Sequence, residues 1–520
     1  MKLSALVTAA LRVPLPPHCQ DRDVAAVSHD SRTIVPGSLF VAVRGFHSDG
    51  HQFIPQALAR GAVAVVAEET AAPAVTGTAP VIAVPDSRAA LAKLATVFYG
   101  DPSKRLKLIG ITGTKGKTTT SYLVRSLLEA DGHQTGLIGT IDYRIGSKVY
   151  PAPNTTPESL ELQRLLAEMV DARVGYCVME VSSHALALGR TDGCVFEAAL
   201  FTNLAQDHLD FHKDRESYFQ AKLQLFTALA ADKTAVVNSD DAVASDILGK
   251  TKAKVYTYGM SAEADIHPLK AIGHGIGGLS FSVHTPIGAI AVTSPLIGKH
   301  NVYNILAAIG AGLSLGMSAA TISRGITAMK AVPGRMEKVD AGQCFSVIVD
   351  YAHTEDSLEK LLDAVREITA GKVITLFGCG GDRDRTKRPA MGAVAVKKSD
   401  LAIVTTENPR TEDPQSIIKE IESGMGSSGI RIVAPAEAQR TIPGRTPYLV
   451  MLDRAAAINA AIMLAGPGDT VVLAGKGHED YQIIGDRKQH FDDREAAREA
   501  IGTRKQNAKC GTRNSNEDCG

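Results

Sequence analysis

The sequence predicts an α/β protein with three domains, and three observations lead to this fold class. Short apolar runs that suit buried strands alternate with longer helical stretches along most of the chain. A glycine-rich turn joins an apolar strand at residues 106–111 to a helix that begins at Lys117. The chain has 520 residues, more than one domain of about 100–200 residues needs.

The first predicted domain covers residues 1–98. Its opening segment predicts a helix, since Arg12 and the prolines after it interrupt the apolar stretch that a signal peptide needs. Strands are predicted at 39–43 and 62–67, separated by turns rich in Asp, Ser, Pro and Gly. Residues 98–105 are typical of a linker.

The second predicted domain covers residues 99–334 and the third covers 335–500. Buried strands at 178–181 and 198–203 predict a mostly parallel sheet, covered on both faces, in the second domain. The step Pro333-Gly334 marks the next boundary, and strands follow at the positions 373–377, 402–405 and 470–473. The polar residues 501–520 predict a disordered tail.

Composition excludes several classes of function. The net charge of zero provides no general attraction to nucleic acid or to an anionic membrane. No apolar run approaches the ~20 residues that span a bilayer. The seven cysteines are scattered without a Cys-x-x-Cys pair, which indicates reduced thiols in a cytoplasmic protein rather than disulfides or zinc.

The turn after the strand at 106–111 predicts a nucleotide-phosphate loop. Gly113 and Gly116 allow backbone N–H groups to curl around a polyphosphate, and the helix N-terminus adds its dipole. Lys117 would reach the terminal phosphates, and the Thr118 hydroxyl would hold Mg²⁺. Ile111 replaces the usual first glycine, so the loop is a shortened variant. A chance Gly/Thr-rich turn is the alternative, which the strand–loop–helix context disfavours.

Further polar residues follow the predicted strands of the second domain. Glu180 lies where a second magnesium ligand is needed, although a strand-end carboxylate can also cap the next helix. His208 is either a metal ligand or a polar loop residue. Lys222 lies in a helix predicted to begin near Ser217, where a lysine is normally a solvated residue.

Four motifs follow one another along the second predicted domain. They are Thr112-Gly-Thr-Lys-Gly-Lys-Thr-Thr119, Met179-Glu-Val-Ser-Ser-His184, Thr202-Asn-Leu-Ala-Gln-Asp-His-Leu-Asp210 and Ala221-Lys-Leu-Gln-Leu-Phe226. In this order they resemble the Mur ligases, which build the peptide of bacterial cell-wall precursors. The resemblance runs from about residue 20 to 500, and it implies a UDP-sugar-binding α/β domain, a central P-loop ATPase-like domain and a C-terminal Rossmann-like domain.

The resemblance changes the interpretation of Lys222. In the family, the matching lysine is carbamylated by CO₂, and N6-carboxylysine is an anionic ligand for Mg²⁺. The implied metal ligands are therefore Thr118, Glu180, His208 and Lys222. The family has Asn where this chain has Lys115.

Three further motifs resemble the family's nucleotide residues: Gly298-x-x-Asn-x-x-Asn304, Val332-Pro-Gly-Arg-Met-Glu337 and Val349-Asp-Tyr-Ala-His-Thr354. An arginine fork at Arg335 suits phosphate charge. The implied ATP-binding residues are Gly113, Thr114, Lys115, Gly116, Lys117, Thr118, Thr119, Asn301, Arg335, Asp350 and His353. The implied catalytic residues are Lys117, Glu180, His208, Lys222 and Arg335.

The third domain contains the segments Phe377–Arg385, Lys387–Pro389, Glu407–Arg410 and Gly475–Glu479. They resemble the branch of the family that attaches meso-diaminopimelate. Its second amino-acid head requires an arginine fork for the carboxylate and an acid for the ammonium. The implied contacts are Arg383, Glu407, Asn408, Pro409, Arg410, Gly475 and Glu479. Glu407 stands where Asp is usual. The alternatives are a lysine-adding or D-Ala-D-Ala-adding relative, and a non-catalytic scaffold.

The resemblance also implies contacts for a UDP-linked muramoyl dipeptide. The uridine part would meet Ser31, Phe46, His47 and Ser48, and the muramoyl peptide would meet Asn154, Thr155, Thr156, Ser182 and Arg190. The expected reaction is ATP-dependent amide formation through an acyl phosphate. The expected partners are UDP-N-acetylmuramoyl-dipeptide, meso-diaminopimelate and ATP, bound by a monomer.

Overall fold

The structure is a computed structural model that describes residues 1–15, 20–45, 48–70, 79–439 and 444–514. The chain forms two compact units. The first comprises Met1–Lys270, Ser282–Ala291 and Tyr303–Ala328. The second comprises Ala271–Phe281, Val292–Val302 and the chain from Met329 on.

The first unit opens with a parallel sheet of four strands in sequential order. The strands are β1 (Ala26–Ser28), β2 (Ser38–Val41), β3 (Ala64–Glu68) and β4 (Val81–Val84), and the helices are α1 (Leu3–Leu11), α2 (Ile54–Ala59) and α3 (Ser87–Phe98). Successive side chains of β2 point to opposite faces, so Leu39 packs with α1 and α3 whereas Phe40 packs with α2. The predicted first helix is confirmed.

An eight-stranded sheet forms the centre of the first unit, in the order β12-β11-β10-β5-β9-β6-β7-β8. Only the pairs that involve β7 are antiparallel within this sheet. The strands are β5 (Lys107–Thr112), β6 (Thr135–Ile138), β7 (Asp142–Ile145), β8 (Lys148–Pro151), β9 (Tyr176–Glu180), β10 (Phe196–Phe201), β11 (Thr234–Asn238) and β12 (Lys254–Tyr258).

Helices accompany this sheet, as the prediction of a mostly parallel sheet requires. They are α4 (Lys117–Ala130), α5 (Ser159–Asp171), α6 (Ser183–Ala187), α7 (Leu209–His212), α8 (Arg215–Thr227), α9 (Ala244–Lys250), α10 (His300–Ser314) and α11 (Ala319–Ala328). Because β5 pairs in parallel with both β9 and β10, the carboxyl ends of these three strands meet at one edge. The loops that carry the predicted motifs therefore begin side by side.

Four short strands follow β12 along the chain. They are β13 (His267–Pro268), β14 (Gly273–Gly275), β15 (Gly278–His284) and β16 (Ile290–Ser294). Strands β13 and β14 pair antiparallel with β15, which also pairs with β16.

A seven-stranded sheet, in the order β17-β18-β23-β19-β20-β22-β21, forms the centre of the second unit. Its strands are β17 (Glu337–Lys338), β18 (Ser346–Asp350), β19 (Val373–Phe377), β20 (Leu401–Thr405), β21 (Gly429–Arg431), β22 (Thr446–Met451) and β23 (Thr470–Ala474). A separate hairpin consists of β24 (Tyr481–Ile484) and β25 (Arg487–His490). The predicted strand at 373–377 is confirmed at both ends.

Two apolar cores lie in the second unit. Helices α12 (Glu355–Ile368), α13 (Lys387–Lys398) and α14 (Pro414–Met425) pack in one core, and α15 (Arg454–Leu464) and α16 (Asp493–Asn514) pack in the other. This arrangement is the α/β fold that the sequence predicts for the third domain.

The prediction of a disordered tail from residue 501 is wrong over its first part, since α16 continues to Asn514. Ile501 is 1% exposed within the second core. The guanidinium of Arg504 donates to the carbonyl oxygens of Ile462 and Ala465. These contacts hold a polar segment as a helix, which composition alone does not reveal. Residues 515–520 lie outside the described residues.

Two predictions about the whole chain can be compared with the described ranges. No described helix combines the length and apolar character needed to cross a bilayer. Cys177, Cys194, Cys344 and Cys379 are free thiols.

Candidate active site

The predicted phosphate loop joins β5 to α4. Gly113 has a φ of +141° and Gly116 a φ of +87°, conformations that favour glycine. A Cβ atom at Gly113 would collide with Thr202 Oγ1, and one at Gly116 would collide with Asn304 Oδ1. The loop backbone can therefore lie this close to Thr202 and Asn304 only because residues 113 and 116 have no side chain.

The Lys117 side chain lies over the loop that precedes it. Its Nζ donates to the carbonyl oxygens of Gly113 at 2.9 Å and Thr114 at 3.0 Å. Thr119 and Thr120 are buried in the first turn of α4, and Thr120 Oγ1 donates to Asn304 Oδ1 at 3.3 Å. The predicted nucleotide residues 113–119 thus form one contiguous loop and helix start.

Glu180 is buried at the end of β9, with 1% of its surface exposed. Its Oε2 accepts hydrogen bonds from Thr118 Oγ1 and Thr140 Oγ1, both at 3.0 Å. Its Oε1 accepts from the Thr140 backbone N–H at 3.0 Å. The structure therefore brings together two of the predicted magnesium ligands, Thr118 and Glu180, at hydrogen-bond distance.

Lys222 is buried in α8 and is 2% exposed. Its Nζ donates to the Gly113 carbonyl oxygen at 2.9 Å and lies 4.4 Å from the centre of the Tyr218 ring. Burial lowers the pKa of Lys222 well below its usual range, and the positive charge of Lys117 lowers it further. A lysine that composition would place in solvent is thus a buried amine on the phosphate loop.

His208 follows β10 with a φ of +54° and a half-exposed side chain. Burial lowers its pKa, so the neutral ring that binds metals is favoured. Lys115, whose role the sequence left open, has its Nζ 3.6 Å from Asp207 Oδ2. The additional cation of this loop is therefore paired with the residue that precedes His208.

The predicted muramoyl-peptide residues lie beside Glu180. Thr155 Oγ1 is 3.1 Å from Thr140 Oγ1. Thr156 Oγ1 donates to the Glu180 carbonyl oxygen at 2.8 Å and accepts from the Ser182 N–H at 3.0 Å. Hydrogen bonds thus connect this group to the Thr118–Glu180 pair.

The remaining residues of that group lie at the same edge. The carbonyl oxygen of Asn154 accepts from Tyr143 Oη at 2.5 Å. Nη1 of Arg190 donates to the Thr156 carbonyl oxygen at 3.0 Å, and Nη2 lies 2.6 Å from Glu158 Oε1.

Two of the four predicted uridine contacts can be located. Ser31 is 5% exposed, and its hydroxyl donates to Gln56 Oε1 at 2.7 Å. The carbonyl oxygen of Ser48 accepts from the Gly45 N–H at 2.9 Å. Phe46 and His47 lie outside the described residues.

In the second unit, Arg335 and Asp350 lie close together. The Arg335 Cζ is 4.9 Å from the centre of the Tyr351 ring, and its Nε is buried without a hydrogen-bond partner among the described residues. Burial raises the pKa of Asp350, which the Arg335 charge opposes. Nδ1 of His353 lies 2.8 Å from the Tyr351 carbonyl oxygen. Asn301, also in this unit, is 3% exposed and donates to the Ile297 carbonyl oxygen.

The predicted diaminopimelate residues converge on Gly380. A Cβ atom there would lie 3.0 Å from Arg410 Nη1, 3.6 Å from Glu407 Oε1 and 3.8 Å from Arg383 Cγ. Arg410 has a φ of +51°, and its Nη1 donates to the Gly381 carbonyl oxygen at 2.8 Å. The Arg410 guanidinium, the Glu407 carboxyl group and the Cγ atom of Arg383 therefore lie around one backbone position.

Asn408, Gly475 and Glu479 complete this cluster. Asn408 Nδ2 donates to Glu479 Oε2 at 2.9 Å. A Cβ atom at Gly475 would lie 3.1 Å from Glu407 Oε2, an atom without a hydrogen-bond partner among the described residues. Burial raises the pKa of Glu407. Pro409 lies between Asn408 and Arg410 on the same loop.

Several residues of these clusters were not predicted. Thr140 supplies two of the three hydrogen bonds to Glu180, and Tyr218 Oη lies 3.1 Å from Thr114 Oγ1. Arg454 and Asp493 form a fully buried ion pair at 2.6 Å, and Arg454 also donates to the Ala474 carbonyl oxygen. Asn304, which accepts a hydrogen bond from Thr120, was not predicted either. Among these residues, only Asn304 could have been identified from the sequence, because it is the second asparagine of the Gly298–Asn304 motif.

Three family models match separate segments of the chain. They are described as "Mur ligase family, catalytic domain", matched at residues 23–99, "Mur ligase middle domain", at 111–312, and "Mur ligase, glutamate ligase domain", at 334–477.

Curated relatives match nearly the whole chain. The protein named UDP-N-acetylmuramoyl-L-alanyl-D-glutamate--2,6-diaminopimelate ligase from Geobacillus thermodenitrificans is 47% identical, over 93% of this chain and 96% of its own. Its namesake from Gloeobacter violaceus is 49% identical, over 93% and 95%. A solved structure of an enzyme with this name superposes with a TM-score of 0.70, at 32% identity over 97% of this chain and 99% of its own. The chain belongs to the Mur ligase family.

Proposed function

We propose that this chain is an ATP-dependent ligase that attaches meso-2,6-diaminopimelate to UDP-N-acetylmuramoyl-L-alanyl-D-glutamate. The substrates are those in the names of its curated relatives. The observation that carries the proposal is the buried Lys222 amine on the same loop carbonyl as Lys117, because a phosphate loop alone needs no second buried lysine.

The reaction has two displacement steps. The γ-carboxylate of the D-glutamate residue attacks the γ-phosphorus of ATP, which forms an acyl phosphate and releases ADP. The amine of diaminopimelate then attacks the acyl carbon, loses a proton and expels phosphate. No enzyme nucleophile is required, so this chain contributes position and charge.

In the first step, two cations would stabilise the negative charge on the phosphoryl oxygens. Lys117, which donates to loop carbonyl oxygens in the structure, would turn to the transferring phosphoryl group. Arg335 has a buried Nε without a hydrogen-bond partner among the described residues, and its fork suits a phosphate. We assign both residues to the developing negative charge on the phosphoryl oxygens.

The residues around Glu180 fit a magnesium ion. Thr118 and Glu180 supply adjacent oxygens, and His208 supplies a ring whose neutral form is favoured. A neutral Lys222 amine can add CO₂ to become a carbamate with two further oxygens. Within the described residues, no group of three or more His, Cys, Asp and Glu side chains suits a metal. Phosphate oxygens and the carbamate would therefore complete the ligand set, and the bound ion would neutralise phosphate charge.

The cluster at Gly380 would select diaminopimelate through the second amino-acid head of this substrate. Arg383 and Arg410 suit its carboxylate, and Glu479 with the Gly475 carbonyl suits its ammonium. Lysine has no carboxylate at this end, so it would leave both guanidinium groups without an anion. We also assign one substrate to each predicted domain, with boundaries near residues 98 and 334.

The test measures phosphate release from ATP with the UDP-linked dipeptide and either diaminopimelate or lysine. We expect turnover with diaminopimelate, and turnover with lysine alone would contradict the proposal. Arg410→Met should raise the KM for diaminopimelate about 10–100-fold, since a charge-assisted hydrogen bond contributes ~1.5–3 kcal/mol. The control Arg431→Met removes an exposed arginine that pairs with Glu422, and it should not change this KM.

A further inference from the structure

Three charged side chains connect the first predicted domain with the second. Oε1 of Glu158 lies 2.6 Å from Arg190 Nη2, and its Oε2 lies 3.5 Å from Arg88 Nη1. We call Arg88, Glu158 and Arg190 the arginine–glutamate bridge. Arg190 already belongs to the predicted muramoyl-peptide contacts, whereas Arg88 and Glu158 have no role in the proposed function.

Arg88 lies between the residues proposed for the two ends of the nucleotide sugar. It stands in the first turn of α3, and its Nη2 donates to the carbonyl oxygen of Arg44 at 3.3 Å. Arg44 begins the loop that leads to Ser48, one of the uridine contacts. On its other side, Arg88 meets Glu158, two residues after the muramoyl contact Thr156.

The parts of the UDP-linked substrate follow one another in the same order as these residues. In a UDP-linked sugar, the diphosphate joins uridine to the sugar and carries the negative charge. With the contacts proposed above, a side chain between the uridine and muramoyl residues would lie near the diphosphate. Guanidinium groups bind phosphate oxygens through paired N–H donors, which makes arginine the suitable residue there.

Other basic side chains near this position are less suited to the diphosphate. Arg44 has two acidic partners, Asp49 at 3.2 Å and Glu68 at 3.5 Å, and these already balance its charge. Burial lowers the pKa of His29, so its ring is neutral at pH 7. Arg88 has the long 3.5 Å contact with Glu158, and a quarter of its side chain is exposed. Such a contact contributes little energy, so Arg88 can exchange Glu158 for an anion that it binds more closely.

We propose that Arg88 binds the diphosphate of the UDP-linked substrate, and that Glu158 is the partner of Arg88 until the substrate arrives. The diphosphate replaces Glu158 as the partner of Arg88, while the shorter Glu158–Arg190 contact persists. The identity of this ligand rests on the proposed function.

Calorimetric titration with two probes tests the assignment. One probe is UDP-N-acetylmuramoyl-L-alanyl-D-glutamate, and the other is the same molecule without UDP. Arg88→Gln should raise the Kd of the first probe about 10–100-fold and leave that of the second unchanged. Arg88→Lys should recover part of the loss. The control Lys93→Gln removes a cation from the same helix and should change neither Kd.

Glu158→Gln distinguishes a carboxylate that the diphosphate displaces from one that is needed for the structure of the site. Because it removes a carboxylate that competes for Arg88, it should leave the Kd of the first probe unchanged or lower it. The assignment is overturned if Arg88→Gln weakens both probes equally or neither, or if Glu158→Gln weakens binding as much as Arg88→Gln does. Thermal unfolding identifies misfolded variants, and Arg88→Lys then replaces Arg88→Gln.

The kinetic readout keeps this assignment separate from the proposed function. At saturating UDP-linked substrate, Arg88→Gln should keep kcat within about threefold of the wild type, because Arg88 does not touch the reacting atoms. A kcat loss far beyond this range overturns the assignment. Failure of the wild type to use diaminopimelate would instead refute the proposed function.

Discussion

Replacing Glu180 by Gln tests the candidate metal site with almost no change in shape. The carboxylate accepts three hydrogen bonds of 3.0 Å, one from Thr118 and two from Thr140. In the amide, Oε1 can still accept from the Thr140 N–H. The amide nitrogen would donate to the two hydroxyl groups, which can rotate to accept. Thr155, 3.1 Å from the Thr140 hydroxyl, can then act as its acceptor.

The expected cost to stability follows from this hydrogen-bond pattern. Each charge-assisted bond contributes about 1.5–3 kcal/mol and each neutral bond about 0.5–1.5 kcal/mol, so three bonds lose about 3 kcal/mol in total. Removal of a buried anion offsets part of this loss. We therefore expect the free energy of unfolding to change by no more than about 2 kcal/mol. Catalysis should fall about 10³-fold, because the substituted site lacks an anionic ligand for Mg²⁺.

The assay combines phosphate release, its dependence on Mg²⁺ concentration, and urea unfolding. We expect low kcat, a requirement for more Mg²⁺ and a near-normal unfolding midpoint. The control Glu197→Gln removes a carboxylate at the start of β10, where it pairs with Lys233, and should leave turnover unchanged. If Glu180→Gln keeps wild-type turnover and Mg²⁺ dependence, Glu180 is not a metal ligand and its three hydrogen bonds are structural.

Three other substitutions give distinct results. Lys222→Ala should abolish phosphate release, short-chain carboxylates should restore part of it, and an active variant without them would contradict the carbamate assignment. Lys115→Asn should keep the KM for ATP within about threefold, because its exposed pair with Asp207 contributes about 0–1 kcal/mol; a tenfold rise would show contact with the nucleotide. Hydrogen bonds from His51 lower the pKa of Asp49 from 3.8 to about 2, so its stabilisation is present above pH 4 and is lost as the pH falls towards 2. Asp49→Asn should therefore lower the free energy of unfolding at pH 7 by about 1 kcal/mol after solvent screening, and match the wild type below about pH 2, as measured by urea unfolding.

The sequence predicted the parts of the molecule that depend on local pattern. A short apolar run located both ends of β19 in the seven-stranded sheet, and the predicted start of α4 at Lys117 was correct. It also identified the motifs that the structure brings together at the carboxyl ends of β5, β9 and β10. Parallel sheets place such ends at one edge, so motif order and fold class were sufficient for this step.

Contacts between distant residues were not predictable in this way. Thr140 reaches Glu180 from 40 residues away, and Tyr218 reaches Thr114 from 104. Neither residue belongs to a motif. A threonine or tyrosine in isolation has many ordinary roles, so its presence in the sequence does not indicate a site. The polar composition of α16 likewise hides the apolar contact of Ile501 that makes its tail helical. Pairwise packing, rather than composition, decides these features.

The two lysines on the Gly113 carbonyl oxygen would connect the proposed phosphate binding by Lys117 with the proposed carbamylation of Lys222. Both ammonium groups lie 2.9 Å from one carbonyl oxygen. At a separation of roughly 5 Å and an effective dielectric constant of about 20, two unit charges repel by about 3 kcal/mol. This repulsion adds to burial in favouring the neutral form of Lys222, which is 2% exposed. Because only a neutral amine adds CO₂, Lys117 favours the reactive form of Lys222 as long as it remains folded over the loop.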